Sequence, residues 1–210
     1  GLEEMQSMID LVKKVAPEFR IALAGKYHEE ITDELKDLCV FHVPELDKEL
    51  IQKRKEKGQI TTFYTMCAKP EHPNNFTFSP PAEQALLGWY AAARGFDGYL
   101  RWAYNSWVKD PLHDSRFRTW PAGDTYQIYP GPRSSIRFER LREGIQDYEK
   151  IQAVRSMLKA RDNSQGLKKL EEALAIFTHE NFTQPRAAFW LSKGKQQFSE
   201  LIDQMEQASE

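Results

Sequence analysis

Four short apolar runs, "FRIALAG", "CVFHV", "QITTFYTMC" and "GYLRWAYN", recur along the first 105 residues, and each follows a stretch with helical spacing. Met5, Met8, Ile9, Val12 and Val15 make the first helical face, which Pro17 ends. Ile31, Leu35 and Leu38 predict a second helix over "EEITDELKDL", and "ELDKELIQKRKEKG" reads as a third, with Gly58 as its stop. In "PPAEQALLGWYAAARG" the prolines suit a first turn, Ser79 suits the cap and Gly95 the close. Helix and strand alternating in this way predict parallel strands joined by helical crossovers. Runs that are apolar throughout, rather than alternating, fit strands covered on both faces. The fold class is therefore α/β, about four parallel β/α units, or half of a TIM-like (β/α)8 barrel that would take about 250 residues.

Beyond Trp107 the pattern changes. "VKDPLHDSRFRTWPAGDTYQIYPGPR" is too long for an idle connector, carries "TYQIY" as a short strand, and follows a parallel strand where α/β folds place ligand contacts. From Ser135 the chain is helical. Leu141, Ile145, Tyr148, Ile151, Val154 and Leu158 form one stripe; Leu167, Leu170, Leu174 and Phe177 form another; Pro185 opens a last helix through Phe189, Trp190, Phe198, Leu201 and Met205. The division is thus 1–134, a partial barrel with a long loop after its last strand, and 135–210, a helical C-terminal extension packed on it.

Composition narrows the function classes. Lys and Arg (29) nearly balance Asp and Glu (31) without a basic block, which argues against a nucleic-acid or anionic-membrane surface. No apolar run approaches the roughly 20 residues of a membrane span. The chain opens with Gly rather than Met, so nothing is read into its lack of a signal-peptide pattern. Cys39 and Cys67 sit in apolar surroundings and read as buried free thiols. His72, His113 and Asp114 have no ligand spacing for a metal, and no cofactor is expected.

The stretch "YLRWAYNSWVKDPLHDSRFRTWPAGDTYQIYPGPRSSIRFERLREGIQDYEK" resembles the C-terminal signature of the DUF4091 group of glycoside-hydrolase-like proteins, which is related to family 123 glycoside hydrolases. The likeness rests on a strand with paired aromatics, then "DP", "AGD", "YPG" and the "SIR", "ERLREG" and "DYE" blocks. It implies a TIM-like barrel of bacterial, Bacteroidetes-type origin, periplasmic or secreted, acting on a glycan or glycoside. Family 123 members remove β-linked N-acetylgalactosamine by a substrate-assisted route, in which an adjacent Asp-Glu pair orients the acetamido group and protonates the leaving oxygen. The single Asp-Glu dipeptide of this chain, Asp33-Glu34, falls on the wet side of a helical pattern, so no catalytic residue is assigned and the chain by itself is expected to be inactive. It is then a fragment of a larger hydrolase or a shortened relative that binds glycan without cleaving it. The rival is a structural or interaction module, and an open parallel edge predicts either a homodimer or pairing with an N-terminal half-barrel.

The candidate substrate-binding residues are Tyr64, Trp102, Tyr104, Asn105, Trp107, Asp110 and Asp124. If "GYLRWAYN" is one strand, Arg101, Ala103 and Asn105 share a face and Leu100, Trp102 and Tyr104 the other. Tyr104, Asn105 and Trp107 then stand at the C-terminal mouth, where barrel sites form. Sugars offer flat C–H faces to rings and hydroxyls to Asn or Asp; the alternative for each ring is core, and for Asp124 an Asx turn. His42 and Glu45 end the second strand, and a lone His there is more often structural. Arg137, Glu139, Arg142, Glu143 and Asp147 read as an ion-paired helix surface.

Overall fold

The structure, a computed structural model, describes residues 1–41, 46–67, 72–116, 119–131 and 133–207. His42 and Glu45 lie outside the described residues. The chain divides into two compact units, one of Gly1–Tyr64 with Gly95–Leu100 and one of Thr65–Arg94 with Arg101–Glu210.

The first unit holds the sheet. Strands β1 (Ala22–Gly25), β2 (Asp37–Phe41), β3 (Ile60–Tyr64) and β4 (Gly98–Leu100) lie side by side in sequence order, and every pairing is parallel. A doubly wound sheet reverses its strand order at a switch point, whereas a TIM-like barrel does not. The four strands are therefore a partial TIM-like arrangement, as the alternation predicted. Helices α1 (Leu2–Val15) and α2 (Lys48–Glu56) belong to the same unit. Leu38, Cys39 and Val40 are all buried, the continuous apolar run of a parallel strand, and Phe63 packs on Phe96 and Tyr99 at 5.1 and 5.3 Å. A cavity of about 520 Å³ lies among Leu2, Met5 and Ile9 of α1 and Ile21, Leu23 and Leu35.

Two expectations change in this unit. "EEITDELKDL" is not an α-helix but a 3-10 helix, Glu29–Glu34, followed directly by β2. Leu35 is already extended there (φ −91°, ψ 114°), so a tight turn and a strand together reproduce the apolar spacing of a helix. Arg54 of α2 is buried, and its guanidinium donates to the Thr61 hydroxyl (2.9 Å), the Thr32 carbonyl (2.6 Å) and the Leu35 carbonyl (3.1 Å). The fourth strand stops at Leu100 because its partner β3 stops at Tyr64, so the face assignment of residues 101–105 by alternation does not apply.

The second unit is built on helices α3 (Ala82–Arg94), α4 (Ile136–Ala160), α5 (Ser164–Leu174), α6 (His179–Phe182) and α7 (Ala187–Gln207). Ser135, Asn163 and Thr178 cap α4, α5 and α6, each accepting from a backbone N–H three residues on. Ser79 does not cap α3; its Oγ accepts from the Phe76 N–H. Trp89 stacks on Phe177 at 5.2 Å and meets Phe198 edge-on, while Tyr90 lies flat on Phe182 at 3.8 Å. The buried face of α4 is Arg137, Gly144, Asp147, Ile151, Val154 and Leu158, while Ile145 is exposed. Ile151, Val154 and Leu158 are buried as the stripe predicts, but Arg137, Gly144 and Asp147 join them in place of Leu141, Ile145 and Tyr148. Gly144 lets α4 touch the backbone of α3, and Asp147 accepts from the Trp89 indole N–H at 2.9 Å and pairs with Lys195 at 3.0 Å. Arg137 and Asp147 are therefore interior residues, not helix surface. Cys39 is buried as expected, whereas Cys67 is exposed.

Candidate functional site

Residues 101–107, which follow β4, do not extend the sheet. They run antiparallel to residues 124–128 through an Asn105–Tyr126 bridge, with Ser106 N–H donating to Thr125 O at 3.0 Å and Gln127 N–H to Tyr104 O at 2.8 Å. Thr125 Oγ1 closes onto Ser106 O at 2.6 Å. "TYQIY" is thus half of a loop-built ribbon rather than a strand of the sheet. Trp107 fastens its end, its indole N–H donating to Ile128 O at 2.7 Å.

The ribbon separates apolar from polar groups. Trp102, Tyr104 and Trp107 are 51, 43 and 41% exposed, and Trp120, 38% exposed, meets Trp102 edge to face at 5.5 Å. Gly123 to Gln127 are buried instead. Rings that are part covered and fixed by hydrogen bonds or ring contacts are preorganised, which cuts the ordering cost of binding. Tyr104 is fixed by an edge contact to Phe138 at 5.9 Å.

The polar candidates fare differently. Asn105 is exposed beside the rings. Asp110 is exposed and pairs with His113, raising that imidazole's pKa by hydrogen bond and charge. Asp124 is buried, its carboxylate held by Arg101 rather than by its own turn. Tyr64, in the other unit, packs on Phe41 at 5.7 Å, and burial raises its hydroxyl pKa. Trp120 and Arg101 were not among the residues singled out in the sequence. The signal for Trp120 was its place just before the "AGD" turn; Arg101 was hidden by the assumption of a longer strand.

Nearby, Arg137 donates to Asn75 O (2.7 Å) and Gly123 O (2.6 Å) and lies over the Tyr126 ring at 5.3 Å, so burial pulls its pKa down. Thr77 N–H donates to Ala122 O at 2.9 Å. The segment that follows β3 is in this way tied to the loop that follows β4. Among the described residues no group of three or more His, Cys, Asp or Glu could hold a metal, and no helix is long and apolar enough to cross a membrane. Asp33 and Glu34 pair with Lys57 and Lys13.

Comparison with known proteins agrees with this architecture. The chain is similar in structure to a family 123 glycoside hydrolase from Clostridium perfringens, described for glycolipid glycan hydrolysis, with a TM-score of 0.79 at 21% identity. That match covers 98% of this chain and 40% of the other, so the chain spans well under half the length of that enzyme. No curated protein sequence matches it. The family model of the glycoside hydrolase 123 catalytic domain matches residues 1–154, and the chain belongs to that family.

Proposed function

We propose that this chain supplies the aromatic, loop-built side of a carbohydrate site in a bacterial hydrolase that acts on β-linked N-acetylhexosamine by the substrate-assisted route. The observation that carries the reading is the set of half-exposed rings, Trp102, Tyr104 and Trp107 on a hydrogen-bonded ribbon beyond β4 and Trp120 in edge contact with Trp102. Asn105 offers contacts to sugar hydroxyls beside the rings, with Asp110 as a further contact. The acid/base pair comes from another segment of the whole protein, since Asp33 and Glu34 are spent on surface ion pairs. The same engagement is what favours the second reading, a noncatalytic glycan binder. In either case the side of β1 that has no partner strand among the described residues receives one from an N-terminal half-barrel or from a second copy.

The test is hydrolysis of an aryl β-N-acetylgalactosaminide by this chain and by the full product of its gene, with glycan affinity measured beside it. A sugar face covering half of the exposed part of Trp102 removes roughly 60 Å² of apolar surface, about 1.5 kcal/mol or tenfold in Kd. Trp102→Ala is expected to lose that much with the fold intact. Unchanged affinity in Trp102→Ala and Trp107→Ala, with a lower melting temperature, would make the rings structural and sink the reading.

A further inference from the structure

Arg101 is the first residue beyond β4, and its side chain is only 5% exposed. One nitrogen, Nη2, donates to both the backbone oxygen and the Oδ1 of Asp124, whose own side chain is 1% exposed. The peptide next door is held from another direction, since Gly123 O accepts from Arg137 Nη1. Gly123 has φ +80°, and a Cβ there would stand 2.7 Å from Arg137 Nη1, so this turn is fitted closely to its clamps.

A buried ion pair is a poor way to gain stability, because an apolar pair of similar volume often serves as well or better. What a guanidinium bound to a carboxylate and to the adjoining carbonyl does supply is register, since two acceptors fix both the distance and the angle between loops. The register matters here because of what flanks it. Trp102 follows Arg101 directly, Trp120 stands four residues before Asp124, and these two indoles are the ones in edge contact.

We propose that the Arg101–Asp124 pair is a positioning device: it sets the spacing of Trp102 and Trp120, and through it the shape of the face offered to the ligand, without touching the ligand. The proposal rests on the reading that these rings bind a saccharide. Arg101 and Asp124 are in this sense positioning residues, not catalytic ones.

The experiment compares the parent with the double variant Arg101→Met/Asp124→Leu, in which neither charge is left buried alone, and with Arg101→Lys, which keeps the charge but replaces the planar head, whose Nη2 reaches both acceptors of Asp124, with a shorter tetrahedral ammonium. Three quantities are read: the melting temperature, the exciton circular-dichroism couplet of the Trp102–Trp120 pair, and affinity for a trisaccharide ending in β-N-acetylgalactosamine. The expected result for the double variant is a parent-like melting temperature, a lost couplet and an affinity down about tenfold, the value of one misplaced ring. Should the double variant fail to fold, Arg101→Lys carries the test, with the same loss of couplet and affinity expected. A folded variant that keeps couplet and affinity overturns the proposal. Trp102→Ala separates the two ideas: if it weakens binding while the double variant does not, only the positioning role fails. If Trp102→Ala leaves affinity unchanged, the saccharide reading fails and takes the proposal with it.

Discussion

Helices α3 and α4 meet through glycine, and the cost of filling that contact can be worked out from distances. A Cβ on Gly88 would stand 1.9 Å from the Gly144 carbonyl oxygen and 2.5 Å from its carbon; one on Gly144 would stand 2.6 Å from the Ala85 oxygen and 3.0 Å from its Cα. All four neighbours are backbone atoms, which cannot rotate away. To restore ordinary contact at roughly 3.4 Å, the helices must part by about 1.5 Å for Gly88→Ala and about 0.8 Å for Gly144→Ala, loosening the buried Trp89 and Tyr90 on α3. Overpacking of this kind costs about 1–3 kcal/mol, and Gly88→Ala belongs at or beyond the upper end. Against it stands the helix-propensity gain of about 1 kcal/mol for Gly to Ala. The net loss is therefore about 2 kcal/mol for Gly88→Ala and near zero to 1 for Gly144→Ala. At about 2–4 °C per kcal/mol for a chain of this size, the first lowers the melting temperature by roughly 4–8 °C. Thermal unfolding followed by circular dichroism reads both variants. A Gly88→Ala variant that melts at or above the parent temperature would refute the close-approach argument.

Two further outcomes follow from buried polar groups. Burial pushes the Tyr90 hydroxyl up from 10.0 to about 12, so its contribution to stability is complete below pH 10 and is lost as pH rises through 12; two units correspond to about 2.7 kcal/mol. Urea unfolding between pH 9 and 12 should fall more steeply for the parent than for Tyr90→Phe, and parallel curves would show that the hydroxyl ionises freely in the fold. Arg54→Met should destabilise by at least about 3 kcal/mol, because the Thr32 and Leu35 carbonyls and the Thr61 hydroxyl lose charge-assisted bonds inside the sheet unit. Arg54→Lys should recover only part of this, since an ammonium cannot span the same acceptors; full recovery in chemical denaturation would count against the fork.

The sheet was legible because its signal is one of pattern. Continuous apolar runs separated by helical spacing leave few arrangements other than parallel strands, and positive-φ Gly58 and Gly95 end α2 and α3 where expected. What the pattern misread were places where a local period has two explanations. Ile31, Leu35 and Leu38 fit an α-helix by spacing, yet a 3-10 turn followed by a strand places the same side chains in the core. In α4 the apolar stripe identifies the buried Ile151, Val154 and Leu158, but nearer the N-terminus tertiary partners rather than apolarity select Arg137 and Asp147, which are held by Asn75, Gly123, Trp89 and Lys195. Strand length failed for a similar reason. Nothing in "YLRWAYN" says that β3 ends at Tyr64, and pairing, not propensity, decides where β4 stops.

The same distinction bears on the site. Within "AGDTYQIYPGPRSSIR" most polar side chains are spent inward: Asp124 on Arg101, Thr125 on Ser106 O, Ser135 on Gln127 O and the α4 N-terminus, Arg137 on two carbonyls. A segment that looks like a ligand loop is thus largely a scaffold, and the half-exposed rings Trp102, Tyr104, Trp107 and Trp120 come from residues outside it. Under the proposed reading these rings take the apolar face of a sugar, and the spacing of the Trp102 and Trp120 indoles, rather than any ionisable group on the ribbon, is the quantity on which ligand affinity should turn.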